Sequence, residues 1–432
     1  MARPRIVIVG AGFAGFHAAR RLARLARGAA DVVLVNPTDY FLYLPLLPEV
    51  AGGVLDPRRV AVPLAQTLPG VRLLLGEVDG IDPAGRSVSY VDPEGRPGEL
   101  AYDRLVLAAG SVNKLLPIPG VADQAHGFRG IPEAVHLRER LIQQIELADA
   151  ADDPAERQAR CTFVVVGAGY TGTEVAGQGQ LFTAEIARRH PRLGDVTPRW
   201  LLLDTADRVL PGLDRRMSRV AGRVLRTRGV EVRLGTSVTE ATAHGVRLSD
   251  GGFVPSRTLV WCVGVRPDPL VEATGLPLTR GRLTVDEYLS VPGHPEILAC
   301  GDAAAVPDPS RPGEITPMTA QHAVRQGRLA ADNIAASYGV GRRRPYRHRD
   351  LGFVVDLGGW QAAANPLHVP LSGPLARAVA RGYHLLSLPA NRARTATDWL
   401  FAGLGTRPVT QLGLVPATAV PLDTAAPERV HR

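Results

Sequence analysis

Two runs of small residues in this chain carry glycines at the spacing G-x-G-x-x-G. The first run is GAGFAG, Gly10–Gly15, and the second is GAGYTG, Gly167–Gly172. In such a run the first glycine permits a tight turn, the second lets a diphosphate approach the backbone, and the third allows a helix to pack closely on a strand. The N–H groups at the start of that helix then attract the phosphates. Each run therefore predicts a loop that binds a dinucleotide, and two runs predict two dinucleotides.

The residues around each run predict the strand–helix–strand unit that must hold such a loop. At the first run, Arg5–Val9 is an apolar stretch typical of a buried parallel strand, and Phe16–Arg27 and Val32–Val35 predict the next helix and strand. At the second run, Phe163–Val166 and Trp200–Leu203 predict the two strands. This context makes the motif specific. We expect an α/β fold with two Rossmann-like dinucleotide-binding domains, followed by a C-terminal α+β region with amphipathic helices.

The residue at the end of each second strand indicates which ribose the loop accepts. That residue is Asn36 in the first copy and Asp204 in the second. A carboxylate at this position accepts hydrogen bonds from both ribose hydroxyls and repels a 2′-phosphate, so Asp204 favours NADH over NADPH. Arg208, four residues further along, is placed to offset part of that repulsion, which leaves NADPH open as a second donor. The amide of Asn36 binds a hydroxyl more weakly than a carboxylate does.

A later segment indicates which loop binds which dinucleotide. PEILACGDAAAV, Pro295–Val306, predicts a strand that ends directly before Gly301 and Asp302. An acidic side chain there can accept a hydrogen bond from a ribityl hydroxyl, which FAD has and NAD lacks. We therefore assign FAD to the first loop and NADH to the second, whose domain is inserted in the FAD domain. The expected domains are residues 1–113 and 282–340 for FAD, residues 114–281 for NAD(P)H, and residues 341–432 for a C-terminal membrane-surface or dimerisation region.

Composition excludes several other classes of protein. Hydrophobic residues make up 45% of the 432 residues and charged residues 21%, which is typical of a globular rather than a disordered chain. Cys161, Cys262 and Cys300 lack the paired spacing of a dithiol centre or a zinc site, so we expect no metal. The N-terminus opens directly into a strand, and no apolar stretch approaches the ~20 residues of a membrane-spanning helix. We expect a cytoplasmic protein.

Four further segments extend the pattern beyond the glycine loops. They are YDRLVLAAGS (Tyr102–Ser111), TLVWCVGVRPD (Thr258–Asp268), YFLYLPLLPEVAGG (Tyr40–Gly53) and TAQHAVRQG (Thr319–Gly327). In this order, over roughly residues 5–410, they resemble the type II NADH dehydrogenases, which are monotopic NADH:quinone oxidoreductases. The resemblance implies hydride transfer from NADH to FAD and release of two electrons to a quinone, without proton pumping. It also implies a peripheral protein on the inner face of the cell membrane.

The resemblance implies catalytic roles for three side chains. Glu174, in the first turn after the second loop, is expected to contact the nicotinamide and to handle protons. The family usually carries two glutamines four residues apart in the helix over the flavin and the quinone, whereas this chain has Gln321 and Arg325. Arg325 either polarises a quinone carbonyl or indicates a different acceptor. The segment Asp356–Pro366, DLGGWQAAANP, lacks the basic residue that is usual in the family.

The predicted cofactor contacts divide between the two dinucleotides. Those to FAD are Gly10, Gly12, Phe13, Ala14, Gly15, Asn36, Pro45, Val78, Ala109, Gly110, Gly301, Asp302 and Gln321. Those to NADH are Gly167, Gly169, Tyr170, Thr171, Gly172, Glu174, Asp204 and Gly264.

The C-terminal quarter of the chain holds most of its excess positive charge. The formal net charge is +8, and ten arginines against three aspartates fall between residues 341 and 411. The stretches Pro374–Pro389 and Arg392–Leu404 predict basic amphipathic helices, with Arg377, Arg381 and His384 on one face. The opposite faces comprise Leu375, Ala378, Val379, Gly382, Leu386, Trp399, Leu400, Phe401 and Leu404. These helices predict binding to an anionic membrane surface, with contact to a second subunit of a homodimer as the alternative. No motif accompanies the arginines that would indicate nucleic acid.

Two other functions stay open. One is a soluble NAD(P)H-dependent flavoprotein reductase on the same scaffold, with a protein or a small metabolite as its acceptor. The other is a redox sensor that binds NADH and turns over slowly. Sulfide:quinone oxidoreductase is disfavoured because no cysteine follows Cys300.

Overall fold

The computed structural model describes residues 3–405 and 407–422. The α-helices in this part of the chain are α1 Phe13–Leu25, α2 Leu47–Ala51, α3 Leu64–Thr67, α4 Val121–Gln124, α5 Ile131–Ala150, α6 Pro154–Arg160, α7 Tyr170–Ala187, α8 Arg215–Thr227, α9 Pro269–Ala273, α10 Ala320–Ser337, α11 Gly373–Ser387 and α12 Arg392–Gly403. None of the helices in the described residues combines the length and the apolarity needed to cross a membrane.

The strands of the described chain are β1 Arg5–Val9, β2 Asp31–Asn36, β3 Tyr40–Leu42, β4 Ala61–Pro63, β5 Arg72–Leu75, β6 Glu77–Asp82, β7 Ser87–Val91, β8 Pro97–Ala101, β9 Arg104–Leu107, β10 Ser111–Asn113, β11 Ala125–His126, β12 Thr162–Val166, β13 Arg199–Asp204, β14 Val230–Leu234, β15 Val238–Thr242, β16 Gly245–Leu248, β17 Phe253–Pro255, β18 Thr258–Trp261, β19 Val265–Pro267, β20 Leu278–Thr279, β21 Arg282–Thr284, β22 Ser290–Val291, β23 His294–Ala299, β24 Ala304–Ala305, β25 Val354–Asp356, β26 Ala362–Ala364 and β27 Leu371–Ser372.

The chain forms two compact units, each built from separate segments. The first unit comprises the described residues up to Leu42 together with Ala61–Val112 and Val265–Arg349. The second unit comprises Tyr43–Val60, Asn113–Gly264 and the described residues from Asp350 onwards.

The first unit is built on a six-stranded sheet in the order β22-β23-β9-β1-β2-β5. Its central strand β1 pairs in parallel with β2 and β9. Ile6, Val7, Ile8 and Val9 are all buried, because a central parallel strand is covered on both faces. Helix α10 packs closely along α1, since a Cβ added at Gly327 would lie only 2.0 Å from the carbonyl oxygen of Ala14. This contact positions α10 against the helix that follows the first glycine loop.

The second unit repeats the arrangement with a five-stranded parallel sheet in the order β11-β18-β12-β13-β14. Phe163 and Trp200 stack on neighbouring strands with ring centroids 4.9 Å apart. The Trp200 indole N–H donates to Thr183 Oγ1 on α7 at 2.9 Å, and Gly179 leaves room for its ring. The sheet and α7 are therefore locked together behind the second glycine loop. The expected α/β fold with two Rossmann-like sheets is confirmed.

The boundaries of the two units differ from the domains expected from the sequence. The segment Tyr43–Val60 leaves the first unit and groups with the second, because α2 packs against α5 and α7. Residues from Asp350 onwards also group with the second unit instead of forming a third domain. Their sheet, β25-β26-β27, is covered by α11 and contacts α7 and α8. These groupings rest on contacts between segments that lie far apart in sequence.

Candidate functional site

The first glycine loop has the geometry of a diphosphate cradle. Gly10 has φ +89°, and a Cβ there would lie 2.5 Å from the Ala108 carbonyl oxygen. A Cβ on Gly15 would lie 1.8 Å from the carbonyl oxygen of Gly10. By contrast, nothing lies within 4 Å of a Cβ placed on Gly12, which directly precedes α1. The loop thus leaves open space where a diphosphate would approach the helix N-terminus, so the residues present fit a dinucleotide.

The second loop repeats this geometry position by position. Gly167 has φ +105° and would place a Cβ 2.2 Å from the Cys262 carbonyl oxygen. A Cβ on Gly172 would lie 1.9 Å from Gly167 O, whereas Gly169 again faces open space in front of α7. The second cradle therefore also fits a dinucleotide. The three glycines of each loop face the same surroundings, so the two loops share one steric design.

Asn36 and Asp204 each accept a hydrogen bond from a backbone N–H of their glycine loop. They differ in the hydrogen-bonding groups that remain for a ligand. Ala11 N–H donates to Asn36 Oδ1 at 2.7 Å, while the Asn36 amide donates to the carbonyl oxygen of Thr38 at 2.9 Å and to its hydroxyl at 3.0 Å. In the second unit, Ala168 N–H donates to Asp204 Oδ2 at 2.5 Å and Ala206 N–H donates to Oδ1 at 2.8 Å. Both amide hydrogens of Asn36 are thus engaged, whereas each Asp204 oxygen keeps acceptor capacity for a ribose hydroxyl.

Arg208 does not extend into the space beside Asp204 as the sequence suggested. Its guanidinium donates to the Pro211 carbonyl oxygen at 2.8 Å and pairs with Asp207 at 3.1 Å. An arginine held by neighbours in its own loop is poorly placed to bind a 2′-phosphate. The local geometry therefore favours NADH at this loop.

Asp302 and its neighbours form a polar corner in the first unit. Ser111 Oγ donates to Asp302 Oδ2 at 2.7 Å. The adjacent Gly301 N–H donates to Gln326 Oε1 at 2.8 Å, and the Gln326 amide donates to Thr316 Oγ1 at 3.0 Å. Gln326 is buried and positions the backbone before Asp302. The sequence analysis gave Gln326 no role, because its partners Gly301 and Thr316 come from other segments.

Gln321 and Arg325 lie one turn apart on α10 and contact each other. Arg325 Nη1 donates to the Gln321 backbone oxygen at 3.0 Å and to its Oε1 at 3.3 Å. Arg325 Nη2 donates to the carbonyl oxygen of Arg349 at 2.8 Å. The arginine thus holds both the start of α10 and the side chain of Gln321, and both residues remain partly exposed.

Glu174 is half-buried on α7 and receives a hydrogen bond from a distant segment. The Asp356 N–H donates to Glu174 Oε1 at 2.8 Å, across 182 residues of sequence. Burial, followed by the negative charges of Asp356 and Glu49, raises the pKa of Glu174 well above its ordinary value. A carboxyl group whose pKa is raised in this way holds its proton more tightly than an exposed glutamate does.

The structure places Glu49 and Asp356 near Glu174, and the sequence analysis had given neither of them a role. Arg377 of α11 in turn pairs with Asp356. Glu49 is 2% exposed, and the Trp399 indole N–H donates to its Oε2. The signal for Glu49 was present, since it is the acidic residue inside the apolar segment Tyr40–Gly53. The involvement of α11 had no signal in the sequence, because it depends on a fold-level contact.

The remaining predicted contacts divide between the two units. In the first unit, Phe13 and Ala14 begin α1, Val78 lies on β6, and Ala109 and Gly110 follow β9. In the second unit, Tyr170 and Thr171 begin α7 and Gly264 follows β18, with φ +102° and open space around it. Pro45 lies in a 3-10 helix, Leu44–Leu46, and belongs to the second unit with Glu49 rather than to the first.

The orientation of helix α11 is the reverse of the expected one. Arg377 and His384 are each 8% exposed, whereas Leu386 is 77% exposed. On α12, Trp399 was expected on the apolar outer face but is buried, while Leu404 is 70% exposed. The inward arginines are attracted to buried carboxylates: Arg377 Nη1 lies 3.6 Å from Asp356 Oδ1. Arg377 and His384 are therefore not available to a membrane or to a partner, although the sequence analysis placed them on the basic face of the helix.

The three cysteines lie apart and are not paired. Burial raises the pKa of Cys262 and of Cys300 to about 12, so both thiols stay protonated. Within the described residues no group of His, Cys, Asp and Glu has an arrangement that could hold a metal ion. The geometry therefore defines a class of protein: an α/β oxidoreductase scaffold with two dinucleotide cradles and no paired thiols.

Comparison with known proteins places the chain more narrowly. The model of the family described as pyridine nucleotide-disulphide oxidoreductase matches residues 4–327. The chain is 33% identical to the type II NADH:quinone oxidoreductase Ndh of Mycobacterium tuberculosis, over 94% of this chain and 89% of that protein. It is 31% identical to the demethylphylloquinone reductase NdbB of Synechocystis, over 94% of this chain and 97% of that one.

A solved structure shares the fold along almost the whole chain. NDH2 of Plasmodium falciparum in complex with NADH superposes with a TM-score of 0.86 at 18% identity, covering 95% of this chain and 100% of that one. The chain belongs to the type II NADH:quinone oxidoreductases of the pyridine nucleotide-disulphide oxidoreductase family.

Proposed function

We propose that this protein is an FAD-dependent NADH dehydrogenase that passes two electrons to a quinone without pumping protons. The observation that carries the proposal is the duplicated cradle, in which two loops of the same steric design each fit a dinucleotide. The relatives named above, a type II NADH:quinone oxidoreductase and a demethylphylloquinone reductase, support a quinone as the acceptor.

The first-unit loop and Asp302 hold FAD, and the second-unit loop and Asp204 hold NADH. FAD, when bound, accepts a hydride and passes its electrons on. The chain supplies the rest: glycine loops that bind the diphosphates, and a buried sheet behind each loop that keeps the cradle rigid. Glu174 handles a proton on the nicotinamide side, and Gln321 and Arg325 contact the flavin or the acceptor.

NADH is the preferred donor. Support comes from Asp204, whose oxygens both retain free acceptor capacity, and from Arg208, which is held by Pro211 and Asp207. A carboxylate at the ribose position repels a 2′-phosphate, and Arg208 is engaged within its own loop.

The exposed leucines of α11 and α12 bind the surface of a membrane. Leu375, Leu386, Leu400 and Leu404 are each more than 60% exposed, and Arg392 and Arg394 on α12 are also exposed. Apolar side chains presented outward beside exposed arginines suit the boundary between headgroups and acyl chains. This placement makes the protein peripheral on the inner face of the cell membrane. A second copy of the chain is the competing occupant of the same face.

Anaerobic stopped-flow absorbance tests the proposal in two steps. Mixing the flavin-loaded protein with NADH is expected to bleach the flavin much faster than mixing it with NADPH, and menaquinone or ubiquinone is expected to restore its absorbance. Fast bleaching with no reoxidation by any quinone would reject the acceptor and favour a soluble reductase. Slow bleaching by both donors would reject the dehydrogenase itself.

A further inference from the structure

Three carboxyl groups from distant segments meet inside the second unit. Glu49 lies on α2, Glu174 on α7 and Asp356 at the end of β25. The Asp356 N–H donates to Glu174, and the carboxyl group of Asp356 acts electrostatically on both Glu49 and Glu174. We refer to these three residues as the carboxyl cluster.

The carboxyl groups of Glu49 and Asp356 repel each other when both are ionised, because each is then an acceptor only and carries a negative charge. Glu49 Oε2 accepts from the Trp399 indole N–H, while Glu49 Oε1 has no partner that could donate to it. Because Glu49 is buried and only one of its two oxygens has a donor, the neutral, protonated form of Glu49 is favoured at rest.

The surroundings place that proton on Glu49. Asp356 Oδ1 accepts a hydrogen bond from Gly358 N–H at 2.7 Å and lies near the Arg377 guanidinium, so Asp356 is the better site for the negative charge. Glu49 is almost fully buried and has one neutral donor. Burial and the charge of Asp356 raise the pKa of Glu49 to about 8, against the pull of Trp399 and Arg381.

Buried polar atoms around the cluster are left without hydrogen-bond partners. They are Arg377 Nη1, Arg381 Nε and the amide nitrogen of Gln178. Arg381 also lies over the Trp399 ring at 4.7 Å, next to the oxygen that Trp399 holds. Of these groups, the Arg381 guanidinium acts on Glu49 and can stabilise a carboxylate there once Glu49 loses its proton. The cluster is therefore built to tolerate two protonation states.

The proposed reaction consumes a proton at every turnover. A hydride from NADH carries two electrons and one hydrogen, whereas a quinone becomes a quinol by gaining two electrons and two protons. One further proton must therefore come from the protein and be replaced from solvent. We propose, on the basis of the proposed function, that Glu49 paired with Asp356 stores that proton and releases it through the carboxyl cluster. Glu49 becomes a carboxylate on release and is reprotonated before the next cycle.

Other charged groups also face the cluster and belong to its electrostatics. They are Arg228, Arg377, Arg381, Arg407 and His384. Burial lowers the pKa of His384 to about 4, so this histidine is neutral at the pH of interest. The arginines stay charged throughout. Glu49 is thus the group whose ionisation is expected near pH 8.

Glu49→Gln tests the proposal with little structural change. The glutamine oxygen can accept from Trp399 and its amide can donate to Asp356, which imitates protonated Glu49 but cannot release a proton. In the flavin-loaded full chain we expect bleaching by NADH to stay within about twofold of the unaltered protein. Reoxidation by quinone is expected to slow by about tenfold or more, the lower end of what general acid catalysis contributes.

An electron acceptor that takes up no proton distinguishes a loss of proton supply from a general loss of electron transfer. Ferricyanide accepts single electrons and no proton, so Glu49→Gln is expected to reoxidise with ferricyanide at an unchanged rate. In the unaltered protein, quinone reoxidation is expected to fall as pH rises through about 8, and Glu49→Gln is expected to lack this step. Glu240→Gln is the matched control, because Glu240 belongs to the same unit but pairs with Arg247, which is not among the groups that face the cluster.

Asp356→Asn provides a second measurement if Glu49→Gln does not fold. Its amide can donate to a Glu49 carboxylate, so the fall in quinone reoxidation is expected to move to lower pH. The proton store would be overturned if quinone reoxidised Glu49→Gln as fast as it reoxidises the unaltered protein and ferricyanide also showed no difference. It would also be overturned if quinone reoxidation fell at the same pH in Asp356→Asn as in the unaltered protein. If the unaltered protein is not reoxidised by quinone at all, the proposed function fails instead.

Discussion

The residue at the end of the second strand differs between the two dinucleotide-binding units, and this difference has a chemical consequence. Asn36 uses both hydrogens of its amide on Thr38, so its carbonyl oxygen alone can serve a ligand. Asp204 accepts two backbone N–H groups and still has an unused lone pair on each oxygen. Discrimination between nicotinamide cofactors rests on Asp204.

Asp204→Ala is expected to weaken NADH binding and to reduce the discrimination against NADPH. The substitution removes the acceptors for the ribose hydroxyls and the charge that repels a 2′-phosphate, so the KM for NADH should rise by about tenfold, as for loss of one charge-assisted contact. Steady-state kinetics with both donors measures the change. Asp195→Ala, an exposed residue of the same unit, is the control. An unaltered ratio of kcat/KM for the two donors would show that Asp204 does not choose the cofactor.

Glu49 is expected to make the stability of the protein fall with rising pH. Its pKa is about 8 in the folded chain against an ordinary value of 4.5, so the folded state binds the proton more tightly than the unfolded state. The stabilisation from neutral Glu49 is complete below the ordinary value and is lost as pH rises through about 8. The Tm of Glu49→Gln minus that of the unaltered protein should therefore grow between pH 5 and pH 8.5, by several degrees. A constant difference over this range would contradict the raised pKa.

At the scale of elements, periodicity predicted the two C-terminal helices well but not the direction in which they face. The stretches expected to be helical correspond to α11 and α12 within two residues at each end. An amphipathic pattern assigns residues to two faces, and the usual rule turns the apolar face inward. Here Asp356 and Glu49 attract Arg377 and Arg381 inward, and the leucines are left outside. An inward charged face requires buried partners, which no local pattern reveals.

The double variant Leu386→Gln and Leu404→Gln is expected to weaken binding to anionic lipid vesicles. Each exposed leucine contributes up to about 2 kcal/mol when it is buried in an apolar phase, so the partition coefficient should fall by at least about tenfold. Vesicle sedimentation measures the loss, with Leu147→Gln on α5 as the control for an exposed leucine elsewhere. If vesicle binding is unchanged and light scattering shows that a dimer becomes a monomer, the face joins two subunits instead.

At the scale of the molecule, the last described segment is part of the second unit and not an appendage. Pro408 and Val415 accept hydrogen bonds from Arg138 and His136 of α5 through their carbonyl oxygens. Leu422 is 1% exposed and lies in the apolar core that β12, β13 and β18 share. Residues 407–422 therefore bind the helical layer and the core of this unit together. The end of the basic C-terminal quarter therefore stabilises the second unit, a role that its net charge did not indicate.

Truncation after Gly405 is expected to destabilise the second unit selectively. All four tryptophans, Trp200, Trp261, Trp360 and Trp399, belong to this unit, so tryptophan fluorescence reports its unfolding. Loss of buried Leu422 alone costs about 2 kcal/mol or more, because it opens a cavity in the core. Flavin fluorescence follows cofactor release in the same thermal scan. A truncation after Leu422 is the control, and equal melting of both truncated chains would contradict the role of the segment.

The amino-acid sequence by itself determined the two cradles, the strands that support them and the assignment of FAD to the first cradle and NADH to the second. Each cradle depends on one continuous strand–helix–strand segment, Arg5–Asn36 or Thr162–Asp204. The first and third glycines of each loop stand where a side chain would collide with the backbone, so the constraint is local and can be recognised in the sequence. The family resemblance followed from the order of such local motifs.

The tertiary structure alone decided the surroundings of Glu174 and the outward face of α11. Glu49 meets Trp399 across 350 residues, and Asp356 meets Glu174 across 182. A carboxyl group acquires its proton affinity from whatever burial and charge surround it, and those neighbours arrive from segments with no shared pattern. The cofactors could therefore be inferred from short-range sequence, whereas the site of the stored proton emerged only from long-range packing.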